Sequence, residues 1–119
     1  MVAACVALLG GCYNVTRVAP DQLPLLNDTY HQVASAGHGH GVLISTVRHV
    51  RALDGRMVRV QGGISAIVRP RDPAHPPVYF QQPLRSELTH GGAVLHVTGA
   101  NRPETLFMVD EIERVELIW

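Results

Sequence analysis

Lysine is absent from this chain of 119 residues, and all ten of its basic residues are arginine. The absence of lysine excludes Schiff-base chemistry and the P-loop, because both need a lysine amine. Ten acidic residues balance the ten basic ones, so the chain lacks the net positive charge that is typical of proteins binding phosphate backbones. We therefore expect no nucleic acid partner.

Cysteine is scarce, and long hydrophobic runs are missing. Cys5 and Cys12 are the two cysteines, and both lie in the first twelve residues. If that segment is removed, the rest of the chain has no disulfide and no thiolate metal site. Residues 2–11 form an apolar run of ten residues without a charge, whereas a membrane-spanning helix needs about 20. We therefore predict no transmembrane helix.

The uncharged run has the length of a secretory hydrophobic region, about 7 to 15 residues, and small residues follow it. Leu9-Gly10-Gly11-Cys12 resembles the lipobox of bacterial lipoproteins. The resemblance implies that a diacylglyceryl group is joined to Cys12, that the chain is cut before it, and that the new amine is acylated. It also implies a membrane-anchored protein of the bacterial cell envelope, facing the periplasm or the cell exterior.

No Lys or Arg precedes the uncharged run, and two alternatives therefore stay open. A start upstream of Met1 would supply the missing basic residues. Otherwise the run is a buried N-terminal strand or helix with two incidental cysteines.

The rest of the chain divides into a tether and one domain. We assign residues 1–11 to the signal segment, 12–29 to a tether and 30–119 to a small β-rich domain. Pro20 and Pro24 favour a tether with one short helical turn over residues 21–26, and a weaker helix is predicted over 28–35. The fold class is mainly β, a small antiparallel barrel or sandwich of five to seven short strands.

Residues 47–62 carry the best hairpin signal, with Asp54-Gly55 at the turn. A three-residue loop with left-handed Gly55 pairs Val50 with Val58 and Arg48 with Val60. The apolar Val50, Ala52, Val58 and Val60 then share one face, and His49, Arg51, Met57, Arg59 and Gln61 share the other. Because a slip of one residue exchanges the faces, burial should select this register.

Further strands are predicted over residues 64–69, 78–82 and 93–99, with Ala93, Leu95 and Val97 pointing inward. Residues 84–92 are predicted to be a turn or bulge. The tail, residues 104–119, resembles the last hairpin of SH3-like and Sm-like small barrels, in which a 3₁₀ turn separates two strands. This resemblance is a pattern of hydrophobicity and implies no functional residues.

Histidines offer a candidate metal site. His38 and His40 flank Gly39, so both imidazoles of an extended loop could reach one metal ion, and His31 or His49 could complete the site. The alternative is a flexible loop with solvated imidazoles.

Catalytic patterns are weak. Serines at positions 35, 45, 65 and 86 lack a nucleophile-elbow motif, so we predict no enzyme and no cofactor. The paired carboxylates Asp110, Glu111, Glu113 and Glu116 are expected to form a solvated edge. Tyr79, Phe80 and Trp119 are expected to pack in the core.

These patterns together predict a lipid-anchored envelope protein that is attached through Cys12 and has a non-enzymatic scaffolding or protein-interaction role. The expected partners are a membrane and another envelope protein. The alternative function is a periplasmic metal-binding module that uses His38 and His40. The arginine face of the hairpin is predicted to be an outer surface that could also meet anionic lipid headgroups.

Overall fold

The computed structural model describes residues 4–8, 11–27, 30–34, 41–45 and 47–119, with side chains for 14–27 and 47–119. The described strands are β1 (Ala4–Leu8), β2 (Gly11–Val18), β3 (Tyr30–Ala34), β4 (Gly41–Ser45), β5 (Arg48–Arg51), β6 (Met57–Val60), β7 (Ser65–Pro70), β8 (Val78–Phe80), β9 (Arg85–Thr89), β10 (Val94–Gly99), β11 (Arg102–Met108) and β12 (Ile112–Ile118). Three short 3₁₀ helices connect them: η1 (Pro20–Leu26), η2 (His90–Gly92) and η3 (Val109–Glu111).

All strand pairs are antiparallel, and they form four sheets. The largest has the order β1-β2-β12-β7-β8, the second has the order β11-β10-β9, and β3–β4 and β5–β6 are two-stranded. The predicted mainly β class is confirmed. Within the described residues each sheet has two edge strands and does not close on itself, so a small sandwich describes the fold better than a closed barrel. There are also more strands than predicted.

The core lies between the inner faces of the two larger sheets and the β5–β6 hairpin. The alternation of side chains along each strand determines which residues enter the core, because every second residue of a strand points to the same face. Thus β7 buries Ala66 and Val68, while β10 buries Leu95 and Val97. Among the described residues, the largest fully buried side chains are Thr16, Val18, Leu23, Leu26, Val50, Val60, Val68, Phe80, Leu95, Val97, Val115 and Leu117.

The hairpin register is confirmed. Val50 pairs with Val58 and Arg48 with Val60, and the backbone of Gly55 has a φ of +89°. Val50, Ala52 and Val60 are buried, and Val58 is partly buried against the core. The predicted outer face is exposed at all five positions, His49, Arg51, Met57, Arg59 and Gln61.

The predicted tether is part of the folded unit over most of its length. Strand β2 pairs with β12, and Val18 is buried. The helical turn predicted over residues 21–26 is present as η1, but it buries Leu23 and Leu26 in the core. Asn27 then fixes the chain to β9, since its side chain donates to the Ser86 carbonyl at 2.8 Å and accepts from the Ser86 amide at 2.8 Å. The domain therefore begins before residue 30.

Two local predictions are wrong. Residues 30–34 form strand β3, although a weak helix was predicted there. Residues 85–89 form strand β9, followed by η2, where a turn or bulge was predicted. Both segments are rich in polar residues, and pairing with a neighbouring strand decided their conformation instead of local propensity. Ala93 is also exposed, although it was predicted to point inward.

The tail has the predicted sequence of strand, 3₁₀ turn and strand, as β11, η3 and β12. The two strands do not form a hairpin, however. Strand β11 pairs with β10, whereas β12 pairs with β2 and β7. Helix η3 is therefore the corner at which the chain passes from one sheet to the other. Among the described residues, no helix is long and apolar enough to cross a bilayer.

Candidate functional site

Cys12 lies at the beginning of β2, where its backbone is paired with Ala7 of β1. Strand β1 is an edge strand of the five-stranded sheet, and among the described strands it pairs only with β2. Two residues after Cys12, the backbone of Asn14 exchanges hydrogen bonds of 2.8 and 3.1 Å with Trp119. A lipid on Cys12 would therefore be attached close to the folded sheet, with little free chain between them.

The outer face of the β5–β6 hairpin is basic. His49 is opposite Arg59, and Arg51 is opposite Met57. Two apolar side chains accompany them, since Met57 is 59% exposed and Leu53, in the hairpin loop, is 53% exposed. Exposed apolar side chains beside arginines are typical of surfaces that meet a partner or a lipid headgroup region.

A buried carboxylate lies on the opposite face of β12 from the core. Glu116 is 7% exposed, which contradicts the predicted solvated edge, although Asp110, Glu111 and Glu113 are exposed as expected. Arg69 Nε donates to Glu116 Oε1 at 2.7 Å, and Arg114 Nε donates to Oε2 at 3.1 Å. Arg17 lies further away, with Nε 3.8 Å from Oε2.

The environment of Glu116 changes its pKa in two opposing ways. Burial has the largest effect and raises the pKa, because a carboxylate loses its hydration. The hydrogen bonds from Arg69 and Arg114, and their positive charges, together outweigh burial. The net pKa therefore lies below the ordinary value of 4.5, and the group is ionised at neutral pH. This cluster joins β2, β12 and β7 and holds the sheet together.

Residues 70–77 contain four prolines and lead from the end of β7 to β8. An apolar cleft of about 580 Å³ opens between this proline-rich loop and the corner at η3. Arg71 connects the loop to η3 through two hydrogen bonds. Its amide donates to the Glu111 carbonyl at 2.9 Å, and its Nε donates to the Asp110 carbonyl at 2.9 Å. The apolar wall includes Val78, Leu106 and Met108, and the rim carries Asp72, His75, Asp110 and Glu111.

The cleft lies along strand β11, which is an edge strand of the three-stranded sheet. Leu106 and Met108 of this strand are exposed. An edge strand beside exposed apolar side chains is a common feature of peptide- and protein-binding surfaces. The cleft cannot be recognised in the sequence, because its wall combines residues from β8 and β11 that only the fold brings together.

The predicted histidine site falls largely outside the described residues. His38 and His40 lie there, and of His31 only the backbone position in β3 is described. His49 is exposed on the hairpin. Across the part of the chain with described side chains, no group of three or more His, Cys, Asp or Glu residues is arranged to hold a metal ion.

A histidine network that the sequence did not indicate crosses the three-stranded sheet. His96 Nε2 is 2.8 Å from the Thr89 hydroxyl, and His96 Nδ1 is 3.1 Å from Glu104 Oε1. Thr89, His96 and Glu104 come from β9, β10 and β11, so these contacts are diagonal cross-strand pairs. The Thr89 hydroxyl is also 3.1 Å from His90 Nδ1, and Glu104 is exposed. Since the contacts of His96 connect three strands, the network fits a role in linking strands.

The remaining candidates are mostly structural. Phe80 is fully buried and meets Phe107 edge to face with centroids 5.9 Å apart, as expected for a core aromatic. Trp119 packs against the core, whereas Tyr79 is exposed, contrary to expectation. The Ser86 hydroxyl is buried without a hydrogen-bond partner among the described groups. No known protein family, curated protein or solved structure matches this chain.

Proposed function

We propose that this chain is a lipid-anchored protein of the bacterial cell envelope, attached through Cys12, with a non-enzymatic role in binding another envelope protein. The position of β1 at the edge of its sheet carries the proposal. Removal of residues 1–11 takes away the edge strand β1 and the first residue of β2, and it leaves the pairing of β2 with β12, of β12 with β7 and of β7 with β8 in place. Cleavage before Cys12 is therefore compatible with a stable mature domain.

The lipid chemistry accounts for the anchoring. One acyl chain binds a membrane only marginally, at about 0.8 kcal/mol for each buried methylene, whereas two or three chains anchor a protein almost irreversibly. Since Cys12 is the second residue of β2 and would be the first residue of the mature chain, the lipid would hold the domain against the membrane surface.

Labelling with radioactive palmitate in the native host tests the anchor. Wild type and Cys5→Ser should both be labelled and sediment with membranes, because Cys5 belongs to the segment that is removed. Cys12→Ser should carry no label. Label on Cys12→Ser, or an unlabelled wild type, would contradict the lipid attachment.

The cleft beside β11 supports the interaction role. Its wall offers the exposed apolar side chains Leu106 and Met108, and its acidic rim residues outnumber Arg71. Because the chain has no lysine, we expect carbodiimide crosslinking of its carboxylates to the amines of a partner in intact cells to yield a defined adduct with wild type. This adduct should disappear with Leu106→Glu plus Met108→Glu. Leu25→Glu is the control, because Leu25 is a similarly exposed apolar residue on η1. An adduct unaffected by the cleft variant would exclude the cleft as the partner site.

A further inference from the structure

The outer face of the β5–β6 hairpin has the composition of a membrane-contact surface. Arg51 and Arg59 are exposed, and within the described residues neither forms an ion pair with an acidic side chain. Their cross-strand partners Met57 and His49 are exposed as well. The positive charges on this face are therefore available to an anionic surface.

The hairpin points toward the end of β2 that carries Cys12. Val18 forms an antiparallel bridge with Ala52, and the amide of Leu53 donates to the Arg17 carbonyl at 2.9 Å. Because the two segments are antiparallel, the loop after Ala52 runs back along β2 toward its beginning. At about 3.3 Å per residue, Cys12 lies roughly 20 Å from Val18. The loop closes at Gly55, whose amide donates to the Ala52 carbonyl at 2.9 Å.

We propose that the hairpin docks on the anionic phospholipid surface of the membrane in which the lipid on Cys12 is inserted. This inference rests on the proposed anchoring for its orientation. Arg51 and Arg59 supply the attraction to phosphate headgroups, and Arg17, which is 62% exposed, adds positive charge beside the loop. Leu53 and Met57 supply apolar side chains that enter the boundary between headgroups and acyl chains.

Vesicle binding by the unlipidated full chain tests the docking separately from the anchor. The protein is Cys12→Ser, and the probes are phosphatidylcholine vesicles with and without phosphatidylglycerol. We expect binding only to vesicles that contain phosphatidylglycerol, and we expect added salt to abolish it, because salt screens exposed charges. Equal binding to both kinds of vesicle would contradict the proposal.

Charge reversal locates the surface. Arg51→Glu plus Arg59→Glu should lower the partition coefficient by about 30-fold or more, from the contribution of two arginines near an anionic surface. The matched control, Arg85→Glu plus Arg102→Glu, changes the net charge equally at exposed positions of β9 and β11, and should change binding by about twofold at most. An equal loss with both pairs would overturn the proposal, since net charge alone would then explain binding.

Two further variants test the same surface. Arg51→Ala plus Arg59→Ala removes the charges without adding carboxylates, and it should also reduce binding. This pair replaces the charge-reversed pair if the latter disturbs folding. Leu53→Ser plus Met57→Ser should weaken binding at unchanged net charge, and unchanged binding would exclude insertion of the loop. None of these results depends on Cys12, so a failure here leaves lipidation to be judged by palmitate labelling.

Discussion

Replacing Glu116 with Gln tests whether the buried carboxylate stabilises the five-stranded sheet. The substitution keeps the shape but leaves an amide nitrogen facing a guanidinium donor, so one of the two hydrogen bonds at 2.7 and 3.1 Å is lost. Hydrogen bonds to charged groups contribute about 1.5 to 3 kcal/mol each. Arg69 and Arg114 are 35% and 25% exposed, which keeps the cost below the 3 to 5 kcal/mol of a fully buried ion pair.

We therefore expect Glu116→Gln to lower the free energy of unfolding by about 2 kcal/mol at neutral pH, and the melting temperature by roughly 5 to 10 °C. Urea unfolding can be followed through Trp119, the only tryptophan, which packs against the core. Glu113→Gln is the matched control. Glu113 is 53% exposed and contacts Arg114 at 2.6 Å, and a surface pair of this kind contributes at most about 1 kcal/mol.

The pH dependence provides a second check on the same residue. The folded pKa of Glu116 lies below its ordinary value of 4.5, so its stabilising contribution is complete above the unfolded pKa. That contribution is lost as the pH falls from about 4.5 through the folded pKa, because the unfolded state takes up a proton first. The difference between wild type and Glu116→Gln should shrink over this range. A difference that is below about 0.5 kcal/mol at neutral pH, or constant with pH, would refute the reasoning.

Two other predictions concern a buried hydroxyl and the unassigned histidines. The Thr16 hydroxyl is buried without a hydrogen-bond partner among the described groups. Thr16→Val should therefore leave the free energy of unfolding in urea unchanged or raise it by about 1 kcal/mol. A decrease of more than about 1 kcal/mol would indicate that the hydroxyl makes a hydrogen bond in the folded protein. Calorimetric titration with zinc, copper and nickel tests the metal-binding alternative. If His38 and His40 bind metal, wild type should give heats of binding that His38→Ala plus His40→Ala abolishes. Wild-type heats equal to those of the buffer controls would exclude metal binding.

The hairpin was predictable because local chemistry and burial agreed. Gly55 provides the left-handed turn residue, and only one register places Val50, Val58 and Val60 on the same face. The mainly β class followed from repeated short alternating segments for the same reason. These features depend on residues close together in sequence.

The features that were missed depend on distant residues. Glu116 alternates with the apolar Val115 and Leu117, and its burial requires Arg69, which is 47 residues away, on the neighbouring strand. Residues 14–27 contain scattered apolar side chains that a tether would tolerate, and only pairing of β2 with β12 shows that Val18 belongs to the core. Strand β9 is polar enough to be interpreted as a turn, and its pairing with β10 determines its conformation.

The location, the orientation and the partners that we propose all depend on a lipid at Cys12. The intact mass of the chain purified from its native host tests for this lipid directly. We predict a mature chain that begins at Cys12 and carries the added mass of a diacylglyceryl group and an amide-linked acyl chain. A chain that retains residues 1–11 with an unmodified Cys12 thiol would contradict the anchoring and the membrane docking of the hairpin derived from it.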